Sequence, residues 1–157
     1  MKGSDKVLAS LNKLLADELT AISEYMVHSE MCSNWGYQKL HLEIEKIAMD
    51  EMHHAEWLIH RLIFLEGVPV VSKLNPMRIA KSVPDMVTFS QGDELDAIRS
   101  YNGAIRVASD LDDQATVELL RKILLMEEQH LDWGGQQHDQ IEQMGRENYL
   151  SNQTKAG

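Results

Sequence analysis

Cys32 is the only cysteine in the chain. An internal disulfide is excluded, and so is a thiolate metal cluster, which leaves the role of a small buried side chain. Proline is nearly as scarce: all three prolines fall between Pro69 and Pro84. Outside that window nothing forbids long uninterrupted helices. No apolar run approaches the roughly 18 residues of a bilayer span, so no membrane partner is expected. The opening MKGSDKVLAS lacks the apolar stretch of a secretory leader, which points to the cytoplasm. Positive charge is also in short supply, with 15 Lys and Arg against 25 Asp and Glu and a net charge of −10. Such a chain repels nucleic acid, and its acidity serves either solubility or the attraction of cations.

The 157 residues suit one compact domain over 1–157. Ser4 or Asp5 caps a first helix that runs to about Ser33, before NWGY breaks it at Gly36. A second helix is expected from about Gln38 to Glu66, stopped by Gly67. A third starts after Ser82 with Pro84 in its first turn and ends near Asp110. A fourth runs from about Asp112 to Met144, and a short fifth covers Arg146 to Gln153. No segment alternates as a strand does, so the fold class is all-α.

Within this pattern the chain repeats itself. DELTAISEY (Asp17–Tyr25) and DELDAIRSY (Asp93–Tyr101) agree at six of nine positions, 76 residues apart. Traced at helical spacing, the buried stripe of the first helix is Leu11, Leu15, Glu18, Ile22 and Tyr25. That of the third is Val87, Gln91, Glu94, Ile98, Tyr101 and Ile105. The second presents Leu40, Ile44, Ile47, Glu51, His54, Leu58, Leu62 and Leu65. The fourth presents Leu120, Ile123, Glu127, His130, Gly134 and Ile141. Each apolar seam is thus interrupted by a carboxylate near mid-helix. A lone buried carboxylate costs several kcal/mol unless it is paired, neutralised or metal-bound.

Glu18 and Glu51 are 33 residues apart, as are Glu94 and Glu127. Their midpoints fall in the two helix–helix turns, at Asn34/Trp35 and Asp110/Leu111, so each antiparallel hairpin sets its glutamates at one level. A shift of 76 carries Glu18 to Glu94, Glu51 to Glu127 and His54 to His130. In EMHH and EEQH the His lies about 60° around the helix from its Glu, so both aim at one point. Four carboxylates and two imidazoles without thiolate suit iron or manganese, and four negative charges balance two divalent cations. The competing reading is a polar hydrogen-bond network in a plain bundle. Tyr25 and Tyr101 lie on the same face about 10 Å along, as hydrogen-bond donors to the ligands, redox-active groups or core side chains.

LNKLLADELTAISEY, IAMDEMHHAE, LIFLEGVP, DELDAIRSY and MEEQHLDW carry a resemblance over nearly the whole chain to the bacterioferritins. The arrangement is the one known for ferritin-like di-iron bundles. The resemblance implies a ferritin-like four-helix bundle with a long crossover between helices two and three. It implies ferroxidase ligands Glu18, Glu51, His54, Glu94, Glu127 and His130, with Glu51 and Glu127 bridging two irons. It also implies a homo-oligomeric shell of 24 subunits that stores ferric mineral, with dioxygen or peroxide as oxidant. Met52, whose match in the other hairpin is Glu128, corresponds to a haem ligand contributed by each of two subunits. A haem b shared by a dimer, and a small ferredoxin as reductant, follow from the same likeness. Two positions depart from the pattern. Lys46 replaces a His of an inner-surface iron site that would include Asp50, and Leu58 replaces an aromatic implicated in electron transfer; Tyr25 and Trp133 remain for that role, Trp133 being equally a packing side chain. Readings that compete with storage are a di-iron oxidase or peroxidase and a structural bundle without turnover. The rubrerythrin-like form is excluded by the single cysteine.

Overall fold

The structure, a computed structural model, describes residues 1–155; the last two residues of the expected 1–157 unit lie outside the described ones. The described residues form α1 (Asp5–Asn34), α2 (Gln38–Phe64), α3 (Val83–Asp110), α4 (Gln114–Met144) and α5 (Arg146–Asn152), with no strand. Side-chain caps set three of the starts. The Ser4 hydroxyl accepts the Lys6 N–H at 3.2 Å, the Ser82 hydroxyl accepts that of Asp85 at 3.3 Å, and Asp113 Oδ1 accepts that of Thr116 at 3.2 Å. None of these helices is long and apolar enough to cross a membrane.

The first three helices end alike. Tyr37, Gly67 and Asp113 donate their N–H groups to the carbonyls of Cys32, Leu62 and Ala108, at 2.9, 2.8 and 2.9 Å. The residue before each, Gly36, Glu66 and Asp112, has a positive φ of 82°, 62° and 56°. This left-handed terminator satisfies otherwise orphaned carbonyls. It also corrects two expected boundaries. α2 stops at Phe64 because Glu66 itself turns left-handed, and α4 starts at Gln114 because Asp112 does so. Gly67 has a different use. A Cβ there would come within 2.6 Å of Leu8 Cδ2, so its absence lets the end of α2 close onto α1.

α1 packs along α2 and α3 along α4, and the hairpins meet through α1 against α3 and α2 against α4. The apolar core lies in two clusters. One contains Leu11, Leu15, Leu58, Leu62, Leu120 and Ile123; the other contains Leu40, Ile44, Ile47, Met86 and Tyr149. Cys32, fully buried in the second, has its thiol pushed up to about 11 by burial and stays unreactive.

Between α2 and α3 the chain runs the length of α1. The Asn12 side chain donates to the Val68 carbonyl and accepts from the Val70 N–H. Asn75 donates its N–H to Thr20 Oγ1 at 2.8 Å and its amide to Asp17 at 2.7 Å. Ala80 donates its N–H to buried His28 at 3.0 Å. From Asn12 to His28 this ladder climbs roughly 24 Å. It delivers α3 at the far end, antiparallel to α1. α5 closes that end: Tyr149 donates to Gln137 at 2.8 Å, and the Gln153 carbonyl accepts the Lys39 N–H at 3.0 Å.

Glu66 occupies a conformation that costs an L-residue about 1–2 kcal/mol, whereas Asp tolerates it better. Glu66→Gly is therefore expected to stabilise by about 0.5–1 kcal/mol after the glycine's greater unfolded-chain entropy is counted. Asp112→Gly should gain less, and urea unfolding of both variants checks the order.

Candidate metal centre

The layer between the two apolar clusters is polar and buried. Glu18, Glu51, Glu94, Glu127 and His54 are at most 3% exposed, and His130 is 7% exposed. Their donor atoms form two groups of four, Glu18–Glu51–His54–Glu127 and Glu51–Glu94–Glu127–His130. Glu51 and Glu127 belong to both. His54 Nδ1 lies 2.9 Å from Glu127, 3.4 Å from Glu51 and 3.5 Å from Glu18. His130 Nδ1 lies 3.1 Å from Glu51, 3.6 Å from Glu94 and 3.8 Å from Glu127. The rings face each other with centroids 6.2 Å apart.

Among the described residues, seven buried side-chain atoms make no hydrogen bond, and all seven belong to these six residues. They include both Nδ1 atoms, both Glu127 oxygens and one oxygen from each other glutamate. Native interiors seldom leave such atoms unpaired, at about 1–3 kcal/mol each. A cluster of them on converging carboxylates and imidazoles fits a cation-binding centre.

The remaining atoms are held from outside, across the hairpins. Tyr25 of α1 donates to Glu94 of α3 at 2.6 Å, and Tyr101 of α3 donates to Glu18 of α1 at 2.5 Å. Burial and the adjacent carboxylates push both phenols well above their ordinary range, so each remains a donor. Since the Tyr25 proton goes to Glu94, the 2.8 Å contact with Ser90 is a bond from the serine hydroxyl. His130 Nε2 meets Asp50 Oδ2 at 2.9 Å, and His54 Nε2 meets Met126 Sδ at 3.2 Å.

Charge follows from this crowding. Burial, then the Glu51 carboxylate, raises Glu18 well above the usual carboxylate range; burial and Glu127 do the same to Glu94. Glu51 is raised by burial and by Glu127. Burial pushes Glu127 up, but the neighbouring Glu94, His130 and His54 outweigh it and hold it low. Burial opposes a charged His54, yet Glu127, Glu18 and Glu51 push it up to about 11; His130 is raised likewise.

The family profile of the ferritin-like domain matches residues 8–156. The bacterial ferritin of Synechocystis sp. is 40% identical over 98% of this chain and 99% of its own length. The bacterioferritin of Brucella melitensis is 35% identical, covering 95% and 92%, and that of Mycobacterium tuberculosis 32%, covering 95% and 94%. The chain belongs to the ferritin family, on its bacterioferritin branch.

In this ferritin fold the six expected ligand residues come together in one layer. Tyr25 and Tyr101 touch it through Glu94 and Glu18. Trp133 is half-buried and packs against the second apolar cluster. Met52 is half-buried, outside both clusters, and turned about 100° from the centre by its place after Glu51. Lys46 is exposed, while Asp50 is engaged by His130. Asp50 and Met126 as imidazole partners went unread. Each lies one residue before a glutamate of the centre, but its partner is in the other hairpin. A cavity of about 250 Å³ reaches the four glutamates between α1 and α3, beneath Asn75 and Pro76, and its wall carries Asp17, Glu24, Asp93 and Asp96.

The raised Glu18 and Glu94 values have a sign. Such groups cost the metal-free fold nothing below the unfolded value near 4.5 and cost progressively more as pH rises above it. Glu18→Gln with Glu94→Gln keeps both tyrosine acceptors and removes that cost. With chelator present, the double variant should match wild type near pH 4.5 and melt several degrees higher by neutral pH. Thermal unfolding across that range reads the difference; a double variant several degrees less stable would instead mark the glutamates as structural hydrogen-bond partners.

Proposed function

We propose that this chain is the subunit of an iron store with ferroxidase activity. The observation that carries the reading is the pair of four-residue groups sharing Glu51 and Glu127, with every orphaned buried donor in them. Two Fe(II) ions are the substrate. Glu51 and Glu127 bridge them; Glu18 with His54, and Glu94 with His130, complete the two sets. Four carboxylate charges neutralise two divalent ions, and the protons held by the metal-free cluster leave as the ions arrive. Two electrons pass to dioxygen or peroxide, and the Fe(III) product moves on to storage. In the wall of the cavity between α1 and α3, Asp17, Asp93 and Asp96 outnumber Lys13, a balance that favours cations on the way to the centre.

The same reading makes residues 1–157 one ferritin-like domain in a cytoplasmic homo-oligomeric shell of 24 subunits. Met52 is half-buried and free of the core clusters, as a side chain that meets a partner across a subunit face must be. Its neutral thioether suits the iron of a haem b shared with a second subunit. That haem supplies electron transfer for iron release, with a small ferredoxin as the external reductant.

Glu127→Ala or Glu51→Ala removes a bridge, and rapid Fe(II) oxidation should fall by roughly tenfold or more with the helical fold intact. Stopped-flow traces equal to wild type would reject the centre. Met52→Leu preserves size and apolarity. It should assemble to the wild-type mass yet lose the haem Soret band, and retention of that band removes Met52 from the haem.

A further inference from the structure

The shift that carries Glu51 onto Glu127 also carries Asp50 onto Met126. The two side chains occupy equivalent places with different chemistry. Asp50 Oδ2 lies 2.9 Å from His130 Nε2, and Met126 Sδ lies 3.2 Å from His54 Nε2. Each faces the ring nitrogen turned away from the carboxylates, so each accepts the imidazole N–H. That fixes the tautomer in which Nδ1 offers its lone pair to a cation.

The two acceptors differ greatly in strength. A carboxylate is charged and makes a charge-assisted bond, whereas a thioether is a neutral, weak acceptor. Asp50 holds the His130 ring, enriches its Nδ1 and adds a negative charge behind it; Met126 does little of this for His54. The other parts of the centre are balanced. Glu51 and Glu127 are common to both groups, and each terminal glutamate accepts a tyrosine at nearly the same distance, 2.5 and 2.6 Å. Ser90 supports Tyr25 but matches Leu14 in the first hairpin, so Tyr101 has no such donor. That difference is neutral and one bond further from the cation.

Resting on the metal-centre reading above, we infer that the two cation positions are unequal by construction. The Glu94–His130 position fills first and holds its ion, and the Glu18–His54 position fills last and exchanges. Asp50 and Met126 are the positioning residues that set the order. Since oxidation draws one electron from each of two ions, turnover then waits on the weaker position.

The test is crystallographic and needs no turnover. The intact protein is crystallised with one equivalent of Co(II) per chain, and the occupancy of each position is refined from anomalous scattering. Imidazole partners are worth on the order of tenfold or more in metal affinity. Wild type should therefore show the His130 position favoured by roughly tenfold. Met126→Asp gives His54 a carboxylate and should bring the occupancies near equality. Asp50→Asn keeps the shape and an acceptor oxygen but loses the charge, and should narrow the ratio from the other side. It also decides the matter alone if Met126→Asp does not fold. Equal occupancy in wild type, or an Asp50→Asn ratio unchanged from wild type, overturns the inference. Cobalt at neither position overturns the metal-centre reading itself, whereas cobalt shared equally overturns only the inequality.

Discussion

Four carboxylates share one buried layer in the middle of the bundle, and much of the surrounding structure exists to make that layer tolerable. Without compensation, buried charge at this density would shed its ionisation or open the fold. Two imidazoles lie between the glutamates, two phenols cap the outer oxygens, and an apolar cluster closes each side. The compensation is incomplete, since one orphaned oxygen or more remains on every glutamate. A plain bundle would gain by replacing such a layer with leucine. Its persistence in an otherwise ordinary core is the strongest physical case for a cation there.

Neither hairpin can build the layer alone. Tyr25 serves the glutamate of α3, Tyr101 that of α1, and each histidine hands its outer N–H to a side chain of the other hairpin. The centre is therefore a product of docking, and docking is driven by the leucines and isoleucines on either side. The crossover adds a second lock. Held by Asn12, Asp17, Thr20 and His28, it fixes where α3 begins and hence which tyrosine meets which glutamate.

The repeat and the interrupted seams made the bundle and the six-residue centre legible from sequence. Helical periodicity and equal spacing from a turn are local rules that survive folding. Helix ends were legible to within two residues, and the misses have a cause. Gly67 reads as the left-handed stop, but Glu66 adopts that conformation and Gly67 serves close packing on Leu8. Asp50 and Met126 were not legible as imidazole partners. Nothing in the local pattern says which residue 72 or 80 positions away a side chain will meet. That depends on the azimuth at which α2 and α4 face each other, which no single helix encodes. The same holds for the crossover: its prolines predicted irregularity, not the polar ladder that guides it along α1.

Where the two halves differ is as informative as where they agree. The six buried residues of the centre are matched in type across the repeat, Glu18 with Glu94, Glu51 with Glu127 and His54 with His130. Divergence begins one residue away, at Asp50 against Met126 and at Met52 against Glu128. The first pair sits behind the imidazoles, where a change alters the partner of the ring without altering the ring itself. The second lies on the helix flank, half-buried in one hairpin and exposed in the other. A duplicated site can keep its stoichiometry only through its ligands, but it can make its halves unequal through any atom they touch. The differences at these flanking positions leave the six matched residues of the centre intact while making the surroundings of its two halves unequal.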